Sequence, residues 1–207
     1  MKTESLIFDI DGTLWDSREL VAQGWNRVFA PLGEQYTVDA DYLTGMFGKT
    51  NVEIAALHLP DFPQERRNAL VEQCCAAAHE VLEADPCQVG YDGVGEVLAA
   101  LSKKYRLFIV SNCQVGYPEL LMRKLNLEAY FSGALCFGQT RTCKGETIRT
   151  LMAREGIESA VYIGDTQGDL ESARLAGIPF IWASYGFGHP QEYDGKLEKI
   201  QDLLDLF

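Results

Sequence analysis

The sequence predicts an α/β protein: a Rossmann-like, doubly wound parallel sheet with an α-helical subdomain inserted after its first strand. Three observations carry that prediction. Short apolar runs alternate with helical patterns over much of the chain, the rhythm of repeated strand–helix units. Each run is apolar throughout and ends near Gly, Asp, Ser or Asn, as strands buried on both faces do. One interval, residues 16–86, breaks the alternation and holds helical stretches only.

The first strand is read in "SLIFDI" (5–10). The insert follows, with helices in "RELVAQGWNRVF", "NVEIAALHL" and "QERRNALVEQCCAAAHEVLEA". Its borders fall near "WDS" and the breaker-rich "DPCQVGYDG", so residues 1–15 and 87–207 form the core and 16–86 the insert. Val94, Val97, Leu98 and Leu101 then share one helical face. Strands follow in "RLFIVSN" (106–112) and "GALCF" (133–137), then a helix carrying Ile148, Leu151 and Met152. After the strand "AVYIGD" (160–165), a helix from about Asp169 to Ala176 stops at Gly177, with Pro179 beyond it. The strand "PFIWAS" (179–184) comes next. Leu197, Ile200, Leu203, Leu204 and Phe207 predict a last amphipathic helix. No internal repeat appears.

Composition narrows the partners. The 207 residues are 47% hydrophobic and 23% charged, an ordinary globular balance. A net charge of −12 repels phosphate backbones, and no basic patch offsets it, so nucleic acid is a poor partner. A small anionic ligand stays possible where a local cation opposes that field. The six cysteines, Cys74, Cys75, Cys87, Cys113, Cys136 and Cys143, form no C-x-x-C pair. Reduced thiols, no membrane partner and a cytoplasmic location are the resulting expectations.

Candidate chemistry sits at the strand ends. In open parallel sheets, ligands bind outside the carboxyl ends of the strands. Those ends supply Asp9 and Asp11, then Ser111 and Asn112, then Asp165 with Asp169, while Lys144 opens a helix after the third strand. Carboxylates so gathered repel: a like pair at 4 Å costs about 1 kcal/mol in water and about 4 at an effective dielectric of 20. A divalent cation together with one lysine offsets most of that. All-oxygen ligation suits Mg²⁺, which also binds phosphate oxygens. Taken singly, each residue has a plainer reading. Ser111 and Asn112 cap a loop, Lys144 is solvated, and Asp165 and Asp169 favour a helix N-terminus.

The ordered set "DIDGTL" (9–14), "VSN" (110–112), "CKG" (143–145) and "GDTQGD" (164–169) resembles the four motifs of the haloacid dehalogenase-like hydrolases, and "YDGVGEVLAAL" (91–101) fits that family too. The resemblance implies Asp9 as nucleophile, forming an aspartyl-phosphate, and Asp11 as general acid–base. It implies Mg²⁺ held by Asp9, the backbone carbonyl of Asp11, and Asp165, with Asp169 completing or orienting that shell. Ser111 and Asn112 would hydrogen-bond the phosphoryl oxygens or position the ligand, and Lys144 would neutralise charge on the nucleophile and the phosphoryl group.

Two features choose a branch. Asp11 is present where dehalogenases of the family lack an aspartate, which favours phosphoryl chemistry on a small phosphorylated metabolite. The β-phosphoglucomutase-like branch carries a His about ten residues after the acid–base Asp, in the first helix of its cap; here Val21 stands at that point. Hydrolysis of the phosphoglycolate phosphatase-like type is therefore the leading expectation. A sugar phosphomutase and a non-catalytic ligand-binding protein are the alternatives. The insert is similar to the small helical cap of such phosphatases. Within it, "TGMFGKTN" (44–51) offers Lys49 for an anionic leaving group, or is simply a helix-start loop. It is not a P-loop, because that frame needs Gly where Leu43 stands. His58, His79 and His189 lack metal spacing and are read as surface or packing residues. Trp15 is read as packing near the hinge rather than lining a substrate entrance. "YGFGHP" (185–190) borders the site or does not; its residues leave both open.

Overall fold

The computed structural model describes residues 3–86 and 89–207, so Cys87 and Gln88, which fall in the second expected border, lie outside the described residues. The chain divides into two compact units, Met1–Asp16 with Gln88–Phe207, and Ser17–Cys87.

The first unit is built on a parallel six-stranded sheet: β1 (Ser5–Phe8), β2 (Arg106–Ser111), β3 (Phe131–Cys136), β4 (Ala160–Gly164), β5 (Phe180–Ala183) and β6 (Gly195–Leu197). Their order is β3-β2-β1-β4-β5-β6. Register sets Ile7 beside both Phe108 and Tyr162, and Tyr162 beside Phe180. These four side chains enter one core layer with Ile148 and Leu151 of α8 (Lys144–Glu155) and Leu170 and Ala173 of α9 (Gln167–Ala176). The alternate residues Leu6, Phe8, Leu107, Ile109 and Ile163 are equally buried. Burial on both faces is why β1, β2 and β4 read as unbroken apolar runs instead of alternating ones.

Strand order reverses at β1: the chain leaves β1 for β2 and β3 on one side, then returns to β4 on the other. That crevice between β1 and β4 is the topological switch point of the sheet. Helices end where their sequence signals stop them. Gly177 caps α9 in the left-handed region at φ 79°, and Asn126 does the same for α6 (Tyr117–Leu125) at φ 57°.

The C-terminal expectation needs correction. Leu197 lies in β6, paired with Ala183, and the chain then makes a 3₁₀ turn (Ile200–Asp202) and one helical turn, α10 (Leu203–Leu206). Leu197, Ile200 and Leu203 are buried, but Leu204 is exposed. Three buried apolar residues spaced three apart look helical in sequence; here the first belongs to a strand.

The second unit contains helices and 3₁₀ turns and, among its described residues, no strand: α1 (Arg18–Phe29), α2 (Ala40–Thr44), α3 (Asn51–His58) and α4 (Gln64–Ala84). Gly24 lies where α1 meets α4 backbone to backbone: a Cβ there would collide with Ala78. His58 is a buried packing residue, its ring 4.7 Å from that of Phe29 and its nitrogens bonded to Tyr42 Oη (2.7 Å) and the Tyr36 carbonyl (2.9 Å). Burial lowers its pKa. Cys74, Cys75, Cys113, Cys136 and Cys143 are free thiols. Among the described residues, no helix is long and apolar enough to cross a membrane.

Candidate active site

The first unit concentrates buried charge at the switch point. Asp9 follows β1 directly, and its N–H donates to the Ile163 carbonyl of β4 at 2.9 Å. Asp165 follows β4. Between them the chain turns through Gly12 at φ 80°, and a Cβ on Gly12 would collide with the Asp165 carboxylate. Only a glycine permits both the left-handed turn and that approach.

Asp9, Asp165 and Asp169 each present a carboxylate oxygen within 4.8 Å of the others, all three buried. Lys144, 3% exposed at the first position of α8, reaches into the group. Its Nζ lies 2.6 Å from Asp169 Oδ1 and 3.1 Å from Asp9 Oδ2. One ammonium against three carboxylates leaves excess negative charge away from water, and the ionisation equilibria record it. Burial, opposed by Lys144 but aided by Asp169 and Asp11, pushes Asp9 up to about 7. Burial, aided by Asp169 and Asp9, pushes Asp165 up to about 8. For Asp169 burial acts upward as well, but the Lys144 charge, its hydrogen bond and the Thr166 donors outweigh it and hold the group low. Burial works against the Lys144 ammonium, yet Asp169 and Asp9 raise its pKa.

The three acids are not equivalent. Asp169 accepts from Lys144 Nζ through Oδ1, and from the Asp165 N–H (3.1 Å), Thr166 N–H (2.9 Å) and Thr166 Oγ1 (2.7 Å) through Oδ2. Asp165 accepts from the Phe187 N–H through Oδ2 at 2.7 Å. Asp165 Oδ1 and Asp9 Oδ1 are buried without a hydrogen-bond donor. A buried carboxylate oxygen with nothing to bond is costly, and two that belong to one cluster suit a hard cation.

Ser111, the last residue of β2, is buried, and Asn112 follows it half-buried, so both sit at the carboxyl end of the strand beside β1. Asp11 is half-buried. Its Oδ1 accepts from Trp15 Nε1 (2.8 Å) and from Tyr117 Oη (2.9 Å). Trp15 is fully buried, as the packing reading has it, but it also carries this bond. Tyr117 was invisible to motif reasoning; the only signal was a tyrosine opening a helix after "VSNCQVG". The "YGFGHP" segment does border the cluster, through the Phe187 N–H and through Tyr185 Oη, which donates to the Thr13 carbonyl at 2.9 Å.

Lys49 belongs to the second unit, where its Nζ donates to the Gly45 carbonyl at 2.6 Å. Thr50 beside it caps α3, as a helix-start loop requires. His79 lies 3.8 Å from Glu83, and His189 packs its ring 5.9 Å from Trp182.

Comparison with known proteins agrees with this geometry. A family model described as haloacid dehalogenase-like hydrolase matches residues 6–183. A phosphoglycolate phosphatase of Aquifex aeolicus is 28% identical, over 97% of this chain and 95% of its own. A phosphorylated carbohydrates phosphatase of Thermotoga maritima is also 28% identical, over 93% and 88%. The solved structure of a haloacid dehalogenase-like family hydrolase from Streptococcus pneumoniae superposes with a TM-score of 0.85 at 22% identity, covering 99% of this chain and 98% of that one.

Proposed function

Because the chain belongs to the haloacid dehalogenase-like hydrolases, we propose that it is a Mg²⁺-dependent phosphatase that hydrolyses a small phosphate monoester through an aspartyl-phosphate on Asp9. The single observation that carries this reading is the pair of unpartnered buried oxygens, Asp9 Oδ1 and Asp165 Oδ1, beside an ammonium already engaged on Asp9 Oδ2. They support a cation bound between the two acids and a nucleophile carboxylate oriented by Lys144.

In this reading Asp9, Asp165 and the backbone carbonyl of Asp11 hold the Mg²⁺. When bound, the ion neutralises the phosphoryl group and the attacking carboxylate. Asp169, with both oxygens committed among four donors, orients Lys144 and the turn at Thr166 instead of adding a ligand. Asp9 attacks phosphorus, and its bond to phosphorus forms as the ester oxygen departs. Asp11 protonates that oxygen, then takes a proton from the water that releases phosphate. Ser111 and Asn112 hydrogen-bond the phosphoryl oxygens, and Lys144 balances their charge.

Hydrolysis, rather than mutation of a sugar phosphate, is supported by Val21, an apolar side chain buried in α1 where a mutase of this family has an imidazole. The relatives named for phosphoglycolate and for phosphorylated carbohydrates support a small, soluble monoester as substrate. The insertion of Ser17–Cys87 follows the Asp9–Leu14 motif in the chain, the sequence position at which phosphatases resembling this one carry their small helical cap.

The test is Asp9→Asn, assayed for Mg²⁺-dependent phosphate release from p-nitrophenyl phosphate. Turnover falls ~10⁴-fold or more while the unfolding curve stays cooperative. Near-normal activity in that variant refutes the nucleophile assignment.

A further inference from the structure

The proposed acid–base, Asp11, is held in an unusual way for a residue that must exchange a proton. Both lone pairs of one oxygen, Oδ1, are taken: one by the Trp15 indole N–H at 2.8 Å, the other by the Tyr117 hydroxyl at 2.9 Å. An indole N–H can only donate, so the Trp15 bond requires Oδ1 to act as acceptor. The two donors also brace one another. Their rings meet edge to face with centroids 5.4 Å apart at 74°.

The backbone repeats the constraint. Gly12 N–H donates to the Trp15 carbonyl at 3.0 Å, and Trp15 pairs with both Asp11 and Gly90 in isolated bridges. Tyr117 is fixed in turn as the first residue of α6, behind Gly116 at φ 89° with Pro118 next. Both rings are buried, so neither donor swings freely.

We infer that Trp15 and Tyr117 are positioning residues that turn Asp11 Oδ1 away from the chemistry and make Oδ2 the single proton-carrying atom of the acid–base. This rests on the phosphatase reading above. In the first half-reaction the proton on Oδ2 passes to the leaving oxygen as its bond to phosphorus breaks. In the second, a water proton moves to Oδ2 as the water oxygen bonds to phosphorus and the Asp9–phosphorus bond breaks. A carboxyl free to rotate presents its proton in the wrong place part of the time. Two donors on one oxygen remove that freedom before substrate arrives.

The consequence is a dependence on the leaving group. An alkoxide needs the proton; p-nitrophenolate leaves without it. Removing a positioning donor therefore harms alkyl esters selectively. Tyr117→Phe deletes one oxygen atom and keeps the ring contact with Trp15; Trp15→Phe is the harsher companion. For Tyr117→Phe, kcat/KM on an alkyl phosphate such as glycerol phosphate falls ~10-fold or more, within the ~10²–10⁴-fold scale of general acid catalysis. On p-nitrophenyl phosphate it changes by less than about 2-fold, since that step asks nothing of the acid.

In an Asp11→Asn background, adding Tyr117→Phe has no further effect on the alkyl ester, because the donor acts through Asp11. Independently of turnover, the Trp15 indole N–H resonance, assigned by its loss in Trp15→Phe, moves upfield and exchanges faster in Asp11→Ala. Equal losses on both esters, or a Tyr117→Phe effect that persists without Asp11, overturn the inference while leaving the phosphatase reading standing. A wild-type protein that releases phosphate from neither ester sinks that reading and this one together.

Discussion

Two helices in this protein begin with the same local device, one in each unit. At α3, Thr50 accepts from the Glu53 N–H, and Glu53 Oε2 accepts from the Thr50 N–H and hydroxyl, both at 2.7 Å. At α9, Thr166 accepts from the Asp169 N–H, and Asp169 Oδ2 accepts from the Thr166 N–H and hydroxyl. Each is a capping box, an N-cap hydroxyl answered by an acid three residues later. They differ in what surrounds the acid. Glu53 is exposed and bonds Thr50 within its own cap, whereas Asp169 is wholly buried and spends its other oxygen on Lys144, 25 residues away in sequence. The same local pattern thus serves a helix end in one unit and anchors a charged centre in the other.

The largest test of that contrast is to neutralise each acid. Asp169→Asn keeps the shape but leaves Lys144 with a weakened counter-charge in a buried site. It costs about 3–5 kcal/mol in urea unfolding and takes phosphatase turnover with it. Glu53→Gln costs less than about 1 kcal/mol. Similar penalties at the two sites would show that the buried network is no more than a second helix cap.

A pH experiment sharpens the contrast next. In the folded, metal-free chain Asp9 and Asp165 keep their protons up to about 7 and about 8, against 3.8 for the ordinary carboxyl. Between those limits the folded state binds more protons than the unfolded one, so these groups make stability fall as pH rises. Asp169, held below 3.8, acts only beneath that window. A cation held by these two acids, as proposed, would compete with their protons. The rise in Tm that Mg²⁺ produces is therefore larger near pH 8 than near pH 5, as calorimetry at fixed Mg²⁺ reads out. An equal rise at both pH values contradicts a cation on Asp9 and Asp165.

The smallest effects come from the threonines. Thr50→Ala costs about 1 kcal/mol, the ordinary value of a lost N-cap. Thr166→Ala costs about 1–2 kcal/mol and also lowers kcat, because the Asp169 carboxylate loses a donor that fixes it toward Lys144. A Thr166→Ala enzyme with unchanged kcat would reduce that box to a cap.

The contrast also explains what was legible in the sequence. The apolar runs of β1, β2 and β4 could be read because both faces of those strands are buried, and the four motifs could be read because each sits at a strand end or helix start. β6 escaped because Gly195–Leu197 is three residues long with one buried side chain of its own, Leu197, set at helical spacing from Ile200. Tyr117 escaped for a different reason. Its bond to Asp11 spans 106 positions, and nothing in "GYPELL" separates a tyrosine that packs from one that aims a carboxyl. Local grammar is written in the chain; which acid it delivers to a shared centre emerges only when the strands are side by side.

The most direct measurement is the mass of the peptide containing Asp9 after acid quench during turnover of p-nitrophenyl phosphate with Mg²⁺, in an Asp11→Asn variant that slows release. The account predicts a gain equal to one PO₃ unit, located on Asp9 and absent without Mg²⁺. A variant that still releases p-nitrophenol while the Asp9 peptide stays unmodified would contradict it.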